Sequence, residues 1–354
     1  MLSETLRILI PLTATFIVGM FLTPLVTHYL YKYRAWKKRA GKLSLDGSAA
    51  KEFYKLHNST ETRAPRMGGI VVWGSVLIVT VGTAALATLF PSHFTEQLNF
   101  LSRSQTWIPL AALLIGAIAG LFDDILVIRP KGSGVPVSIR LLIVIILSSL
   151  IGAWFYLKLD VTAIQIPFSV PLELGWLIVP FFVLLSISLY ASGVIDGIDG
   201  LSGGVFMSAF AGYAIIAFVQ SQIDLAAFTA SIVGGILAFL WFNIPPARFY
   251  MSETGTMALT LALAVIVFMT DHLGEGYGIS ALPIVGGVLV ITVASNIIQV
   301  LSKKLFGRKV FRVAPLHHHF EALGWPGYKV VMRYWILSLM FAFIGVIFAL
   351  SMTT

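Results

Sequence analysis

The chain has 354 residues, 58% of them hydrophobic and only 11% charged, a balance outside the range of soluble globular domains. It contains no cysteine, which excludes disulfides and thiolate metal sites. Its net charge of +8 suits orientation in a lipid bilayer and attraction to anionic lipid heads, and it is not read as nucleic-acid binding.

Hydrocarbon offers backbone groups no partner, so apolar runs of roughly 17 to 25 residues have to be spanning helices. Ten are predicted, at 8–31, 69–90, 107–122, 137–157, 176–193, 203–220, 226–242, 256–272, 281–301 and 334–352. The fold class is therefore all-α, a polytopic integral membrane protein in which residues 1–354 form a single domain. The first run is too long and too weakly basic at its start for a cleaved signal peptide and is read as a retained helix. Of the 24 lysines and arginines, 21 fall on one side: ten in 32–66, three in 129–140, Arg248, and seven in 303–333. Only Arg7, Arg103 and Lys158 oppose them. By the positive-inside rule the basic side is the cytoplasm. Both termini are then extracytoplasmic, and loops 32–68, 123–136, 194–202, 243–255 and 302–333 face the cytoplasm.

Carboxylates within or beside spans are costly and need a reason. "GLFDDILVIRPKGSG" sets Asp123 and Asp124 where the third span meets the cytoplasm, and "SGVIDGIDGLSGG" sets Asp196 and Asp199 between the fifth and sixth. Asp196 and Asp199 are three apart, so a helical turn would project them from one side. Either motif alone makes an ordinary polar turn; two acidic pairs on one face call for a compensating cation. Oxygen ligands without cysteine favour magnesium, which shares its shell with substrate phosphates. "FNIPPARFYMSETGTMALT" follows with Asn243, Glu253 and Thr256, where Ser252 can cap the eighth span and Glu253 can sit against its N-terminal dipole. Last comes "APLHHHFEALGW". Three adjacent side chains diverge by about 100° each on a helix and cannot converge on one tetrahedral zinc. One or two of His317, His318 and His319 are expected to donate hydrogen bonds to an anionic substrate, with Arg308, Lys309 and Arg312 beside them.

Taken together, "PRMGG" at 65–69, "FDD" at 122–124, "DGIDGL" at 196–201, "FNIPPARFYM" at 242–251, "VFRVAPLHHHFEALGW" at 310–325 and "KVVMRYW" at 329–335 resemble the landmarks of the polyprenyl-phosphate N-acetylhexosamine-1-phosphate transferase superfamily. The histidine block places the resemblance in its phospho-N-acetylmuramoyl-pentapeptide transferase branch. The resemblance implies that UDP-N-acetylmuramoyl-pentapeptide and undecaprenyl phosphate give lipid I and UMP. It further implies magnesium, with manganese as a substitute, and a homodimer in the bacterial inner membrane, its active site on the cytoplasmic face. By motif position, Asp123 and Asp124 form the acidic pair, with one of them near the attacking phosphate, and Asp196 and Asp199 face the nucleotide side. Lys131 binds phosphate, Asn243 and Tyr250 border the nucleoside pocket, and His317 to His319 contact phosphates or sugar. Glu253, with Asp123 and Asp124, holds the metal. Several positions depart from the pattern. Ser252-Glu253 replaces the usual Gly-Asp, Gly193 replaces an asparagine, and Glu61 lies near the place of a lysine, where Arg63 and Arg66 can supply the charge. The competing readings are a sister transferase moving another N-acetylhexosamine phosphate onto the same lipid, a transporter, and a non-catalytic lipid-binding homologue.

Overall fold

A computed structural model describes residues 3–36, 64–129, 132, 134–273 and 276–352. Lys131, Glu61 and Arg63 lie outside the described residues. The helices are α1 (Glu4–Lys32), α2 (Gly69–Leu89), α3 (His93–Leu98), α4 (Trp107–Val127), α5 (Val137–Lys158), α6 (Ile178–Ser192), α7 (Leu201–Val219), α8 (Ile223–Asn243), α9 (Ser252–Phe268), α10 (Gly278–Val285), α11 (Gly287–Phe306), α12 (Leu316–Ala322) and α13 (Gly327–Ser351). A small antiparallel hairpin, β1 (Ala163–Ile164) with β2 (Leu172–Glu173), joins α5 to α6, and Ala163 pairs with Glu173. Among the described residues, ten helices are long and apolar enough to cross a membrane, all except α3, α10 and α12.

The ten predicted spans are present, with three differences that bear on the site. The third continues to Val127, so Asp123 and Asp124 stand inside the end of α4 rather than in the loop beyond it. The ninth is two helices broken at Gly286, and the last begins at Gly327, so "KVVMRYW" is helical.

In α9 every residue from Thr254 to Phe268 is buried, as expected of a helix that is apolar all round. It forms the axis against which α4 packs. Gly116 and Gly120, four apart on α4, let the two backbones meet: a methyl group on Gly116 would fall 2.7 Å from the Met257 carbonyl, and one on Gly120 would strike that of Glu253. Small residues at this spacing are how spanning helices approach closely where lipid supplies no hydrophobic drive. The approach places the end of α4, with its two aspartates, beside the start of α9.

The opposite end of the bundle holds separate polar contacts. Arg7, one of the three basic residues opposing the charge bias, donates to the Gln97 carbonyl at 3.0 Å and pairs with Asp224 at 3.2 Å. Asp271 is buried beyond α9 and accepts from the Ile279 and Gln165 amides, each at 3.0 Å, which ties α10 and the hairpin segment to that helix.

Candidate active site

Asp124 is fully buried at the end of α4 and collects four donors. Arg66 of the "PRMGG" segment approaches Oδ1 through Nε at 2.9 Å and through a terminal guanidinium nitrogen at 2.8 Å. The Ser252 hydroxyl donates to Oδ2 at 2.6 Å and the Thr254 amide at 3.0 Å. A carboxylate offers about four lone-pair sites, so Asp124 is saturated as placed. Burial opposes the charge on Arg66, but Asp124, Glu253 and Asp196 outweigh it and lift the pKa above the ordinary arginine value. Asp123, one residue earlier, points elsewhere. Its Oδ1 accepts from the Val135 amide at 2.6 Å, and its Oδ2 lies 3.8 Å from Arg140, the residue that also pairs with Glu253. Arg140 thus stands between Asp123 and Glu253.

The second acidic motif reaches the same place by a different backbone. Asp196 and Asp199 do not share a helical turn: they sit in the loop between a 3₁₀ turn, Gly193–Ile195, and α7. Asp196 accepts from the Ser202 hydroxyl at 2.7 Å and the Ser252 amide at 2.9 Å, while Asp199 accepts from the Ala247 amide at 3.0 Å. One aspartate therefore faces the start of α9 and the other the "IPPARF" loop. Asn243, expected beside a nucleoside, is buried with its carbonyl taking the Gly200 amide at 2.9 Å and its amide donating to Phe249 at 2.7 Å. It ties the acidic loop to the loop after α8. Tyr250 is half-buried and hydrogen-bonds through its backbone to Pro65 and Gly68, which fastens "PRMGG" to the same loop.

The histidines occupy α12. His317 and His318 are buried with ring centroids 4.3 Å apart, and His318 Nδ1 lies 2.8 Å from the Glu321 carboxylate. His319 points away and accepts the Arg312 amide at 3.2 Å; the exposed Arg312 side chain turns back to the Ala322 carbonyl. Gly197 connects the block to the acids. A methyl group there would lie 2.6 Å from His318 Nε2 and 2.7 Å from His317 Nε2, so the backbone of the acidic loop rests directly on both rings. Two of the three histidines belong to the site and the third braces the segment before it.

Several residues that the sequence reading does not place in the site hold this arrangement. Arg140 was counted there only as charge. Ser252 does not cap α9; its hydroxyl goes to Asp124. On α11, Ser295, Gln299 and Ser302 share one face and hold the "VFRVAPL" segment. Gln299 accepts from Val310 at 3.1 Å and Phe311 at 3.0 Å and donates to Phe311 at 2.9 Å. Ser302 donates to Arg308 at 2.9 Å, and Ser295 accepts from Leu316 at 3.1 Å. The signal was present: polar side chains three and four apart in an otherwise lipid-facing helix need buried partners. Gly193, in the place of the family's asparagine, abuts Thr256, with 3.3 Å from an added methyl group to its Cβ.

The donor set has the chemistry of a hard-cation site. Five carboxylates, Asp123, Asp124, Asp196, Asp199 and Glu253, gather at this end of the bundle, where Arg66 pairs with Asp124 and Arg140 with Asp123 and Glu253, a set of oxygen ligands alone. Among the described residues no three acidic or imidazole groups form a ready metal cage. Asp124 is saturated, and Asp123 and Glu253, which flank Arg140, are among the carboxylates that could hold a cation.

Residues 106–271 match the family described as Glycosyl transferase family 4. Along nearly the whole chain, the sequence is 33% identical to the phospho-N-acetylmuramoyl-pentapeptide-transferase of Geobacillus sp. (strain WCH70), over 94% of each chain. It is 31% identical to that of Bacillus subtilis (strain 168), over 96% of this chain and 97% of the relative, and 33% identical to that of Shouchella clausii (strain KSM-K16), over 99% and 100%. With identity at this level end to end, and the acidic and histidine motifs gathered at one end of ten spans, the chain belongs to the phospho-N-acetylmuramoyl-pentapeptide-transferase family.

Proposed function

We propose that the protein transfers phospho-N-acetylmuramoyl-pentapeptide from its UDP derivative to undecaprenyl phosphate, releasing UMP and forming lipid I. The reaction takes place at the cytoplasmic face of the bacterial inner membrane and depends on magnesium. The observation that carries this reading is the packing of the acidic loop at Gly197 onto His317 and His318, beside the Asp124–Arg66 and Glu253–Arg140 pairs. That end of the bundle also bears the charge bias that marks the cytoplasm.

The chemical obstacle is repulsion between two anions. A lipid phosphate oxygen forms a bond to the sugar-linked phosphorus, and the bond from that phosphorus to the bridging oxygen breaks, so UMP leaves with the electron pair. Little covalent work falls to the protein; positioning and electrostatics do most of it. Arg66 and Arg140 present planar guanidiniums suited to phosphate oxygens, and each is held in place by a carboxylate. Asp124, saturated, orients Arg66. Asp123 is less encumbered and is the group we assign to receive a proton from the lipid phosphate and to position it. His317 and His318 lie across Gly197 from the acids, where ring N–H groups can meet the sugar or the phosphates. A bound magnesium would supply charge neutralisation at the diphosphate, with Glu253 as a protein ligand.

The test is to incubate membranes containing the protein with labelled UDP-N-acetylmuramoyl-pentapeptide, and separately with UDP-N-acetylglucosamine, and to identify the lipid product. A muramoyl-pentapeptide lipid is expected. An N-acetylglucosamine lipid alone would establish the sister transferase instead, and no lipid product from either would favour a non-catalytic homologue.

A further inference from the structure

Ser252 breaks a backbone rule in the middle of the site. Its φ is +55°, in the left-handed region that glycine enters without steric cost and serine does not. A side chain kept in such a conformation usually earns its place through contacts that over-determine it.

Every polar atom of Ser252 is engaged, and the residue is buried. The hydroxyl donates to Asp124 Oδ2 at 2.6 Å and accepts the Met67 amide at 2.8 Å. The amide donates to Asp196 Oδ2 at 2.9 Å, and the carbonyl accepts from the Thr256 hydroxyl at 3.1 Å. One residue thereby joins the end of α4, the "PRMGG" segment carrying Arg66, the acidic loop before α7, and the first turn of α9. Glycine would keep the bond to Asp196, which needs only the backbone. It would lose both hydroxyl bonds, leaving Asp124 Oδ2 with Thr254 alone and detaching the amide next to Arg66.

We propose that Ser252 is a positioning residue for the transfer reaction: its hydroxyl locks Asp124 and the Arg66 segment in register with Asp196, so that the two acidic motifs work as one electrostatic unit. The inference rests on the transferase reading. It concerns groups that stabilise the reacting phosphates, so its loss falls on turnover rather than on nucleotide affinity.

The test compares Ser252→Gly and Ser252→Ala with wild type, measuring UMP release and thermal unfolding on the same preparations. Both variants remove the hydroxyl, and only glycine relieves the left-handed backbone. Both should lower kcat by about tenfold, the loss of one hydrogen bond to a charged group, with KM for the nucleotide substrate within about twofold of wild type. Ser252→Gly should unfold at or above the temperature of Ser252→Ala. Wild-type kcat in Ser252→Gly would overturn the proposal. A kcat that follows the unfolding temperature from one variant to the other, or a loss confined to KM, would also overturn it. An inactive wild-type chain would instead contradict the transferase reading itself.

Discussion

Replacing Gly197 with alanine should separate the histidines from the acids while leaving every charged group in place. The added Cβ would lie 2.6 Å from His318 Nε2 and 2.7 Å from His317 Nε2, both inside the 3.0 Å that real Cβ atoms essentially never pass. Neither partner yields easily. His318 is held by Glu321 at 2.8 Å, and the loop is tied back through Gly200 to Asn243 at 2.9 Å and to Trp335 at 3.0 Å. Relief therefore requires α12 and the loop to part by roughly 1 Å, a displacement that costs about 10²-fold when it falls within a catalytic constellation. This corresponds to about 2.7 kcal/mol in kcat/KM, and overpacking of this kind lowers stability by about 1–3 kcal/mol. The assay is steady-state UMP release by purified protein in detergent, with thermal unfolding on the same samples. Gly82→Ala in α2, where an added methyl group meets nothing within 4 Å, is the control and should leave both readings intact or raise stability slightly. A Gly197→Ala enzyme with kcat/KM within about threefold of wild type would refute the reasoning, since the contact would then carry no catalytic geometry.

The histidines should not be equivalent: His317→Ala and His318→Ala should each lower kcat/KM for the nucleotide substrate by about 10-fold or more, and His319→Ala, which loses a bond to the Arg312 amide and ring contacts to Phe311 and Phe320, should stay within about threefold. Equal losses at all three positions would contradict the placement. Glu253→Gln, keeping size and removing charge, should abolish turnover or sharply raise the magnesium requirement, and Glu253→Asp should retain activity; a Gln variant with unchanged magnesium dependence would remove Glu253 as a ligand. Asp124→Ala should lose turnover and also stability, by about 1–3 kcal/mol, because it leaves the half-buried Arg66 without its main partner, and an unfolding temperature equal to wild type would show that the pair is not needed for folding. EDTA should stop turnover and magnesium or manganese should restore it; full activity in EDTA would leave the excess carboxylates without their assigned role.

What could be read from the sequence follows from the kind of physics involved. Spanning helices are dictated by local composition, so ten apolar runs located ten helices, and the errors fall where composition is silent. The break at Gly286 is a backbone matter, and the extension of α4 past Asp123 and Asp124 carries charged residues into a helix end that an apolarity criterion stops short of. The acids and histidines stood out because ionisable groups are rare in such a chain. Their partners did not. Arg66 meets Asp124 across 58 residues and Arg140 meets Glu253 across 113, and no local pattern announces pairings of that separation. Sequence spacing was misleading at Asp196 and Asp199, where three-residue separation suggested a helical face and the chain instead forms a loop that sends the two carboxylates to different partners. At Ser252 propensity pointed to a cap, and the side chain serves Asp124 because a buried carboxylate beside lipid demands donors more strongly than a helix end does.

The most direct test is the formation of UMP by the purified protein given UDP-N-acetylmuramoyl-pentapeptide and magnesium, measured with and without undecaprenyl phosphate. A site that works by holding two anions together should release UMP only when the lipid acceptor is present, in equal amount to the lipid-linked product, and Asp123→Asn should suppress both together. UMP release independent of the lipid, or none under any of these conditions, would contradict a phosphate-to-phosphate transfer at this site.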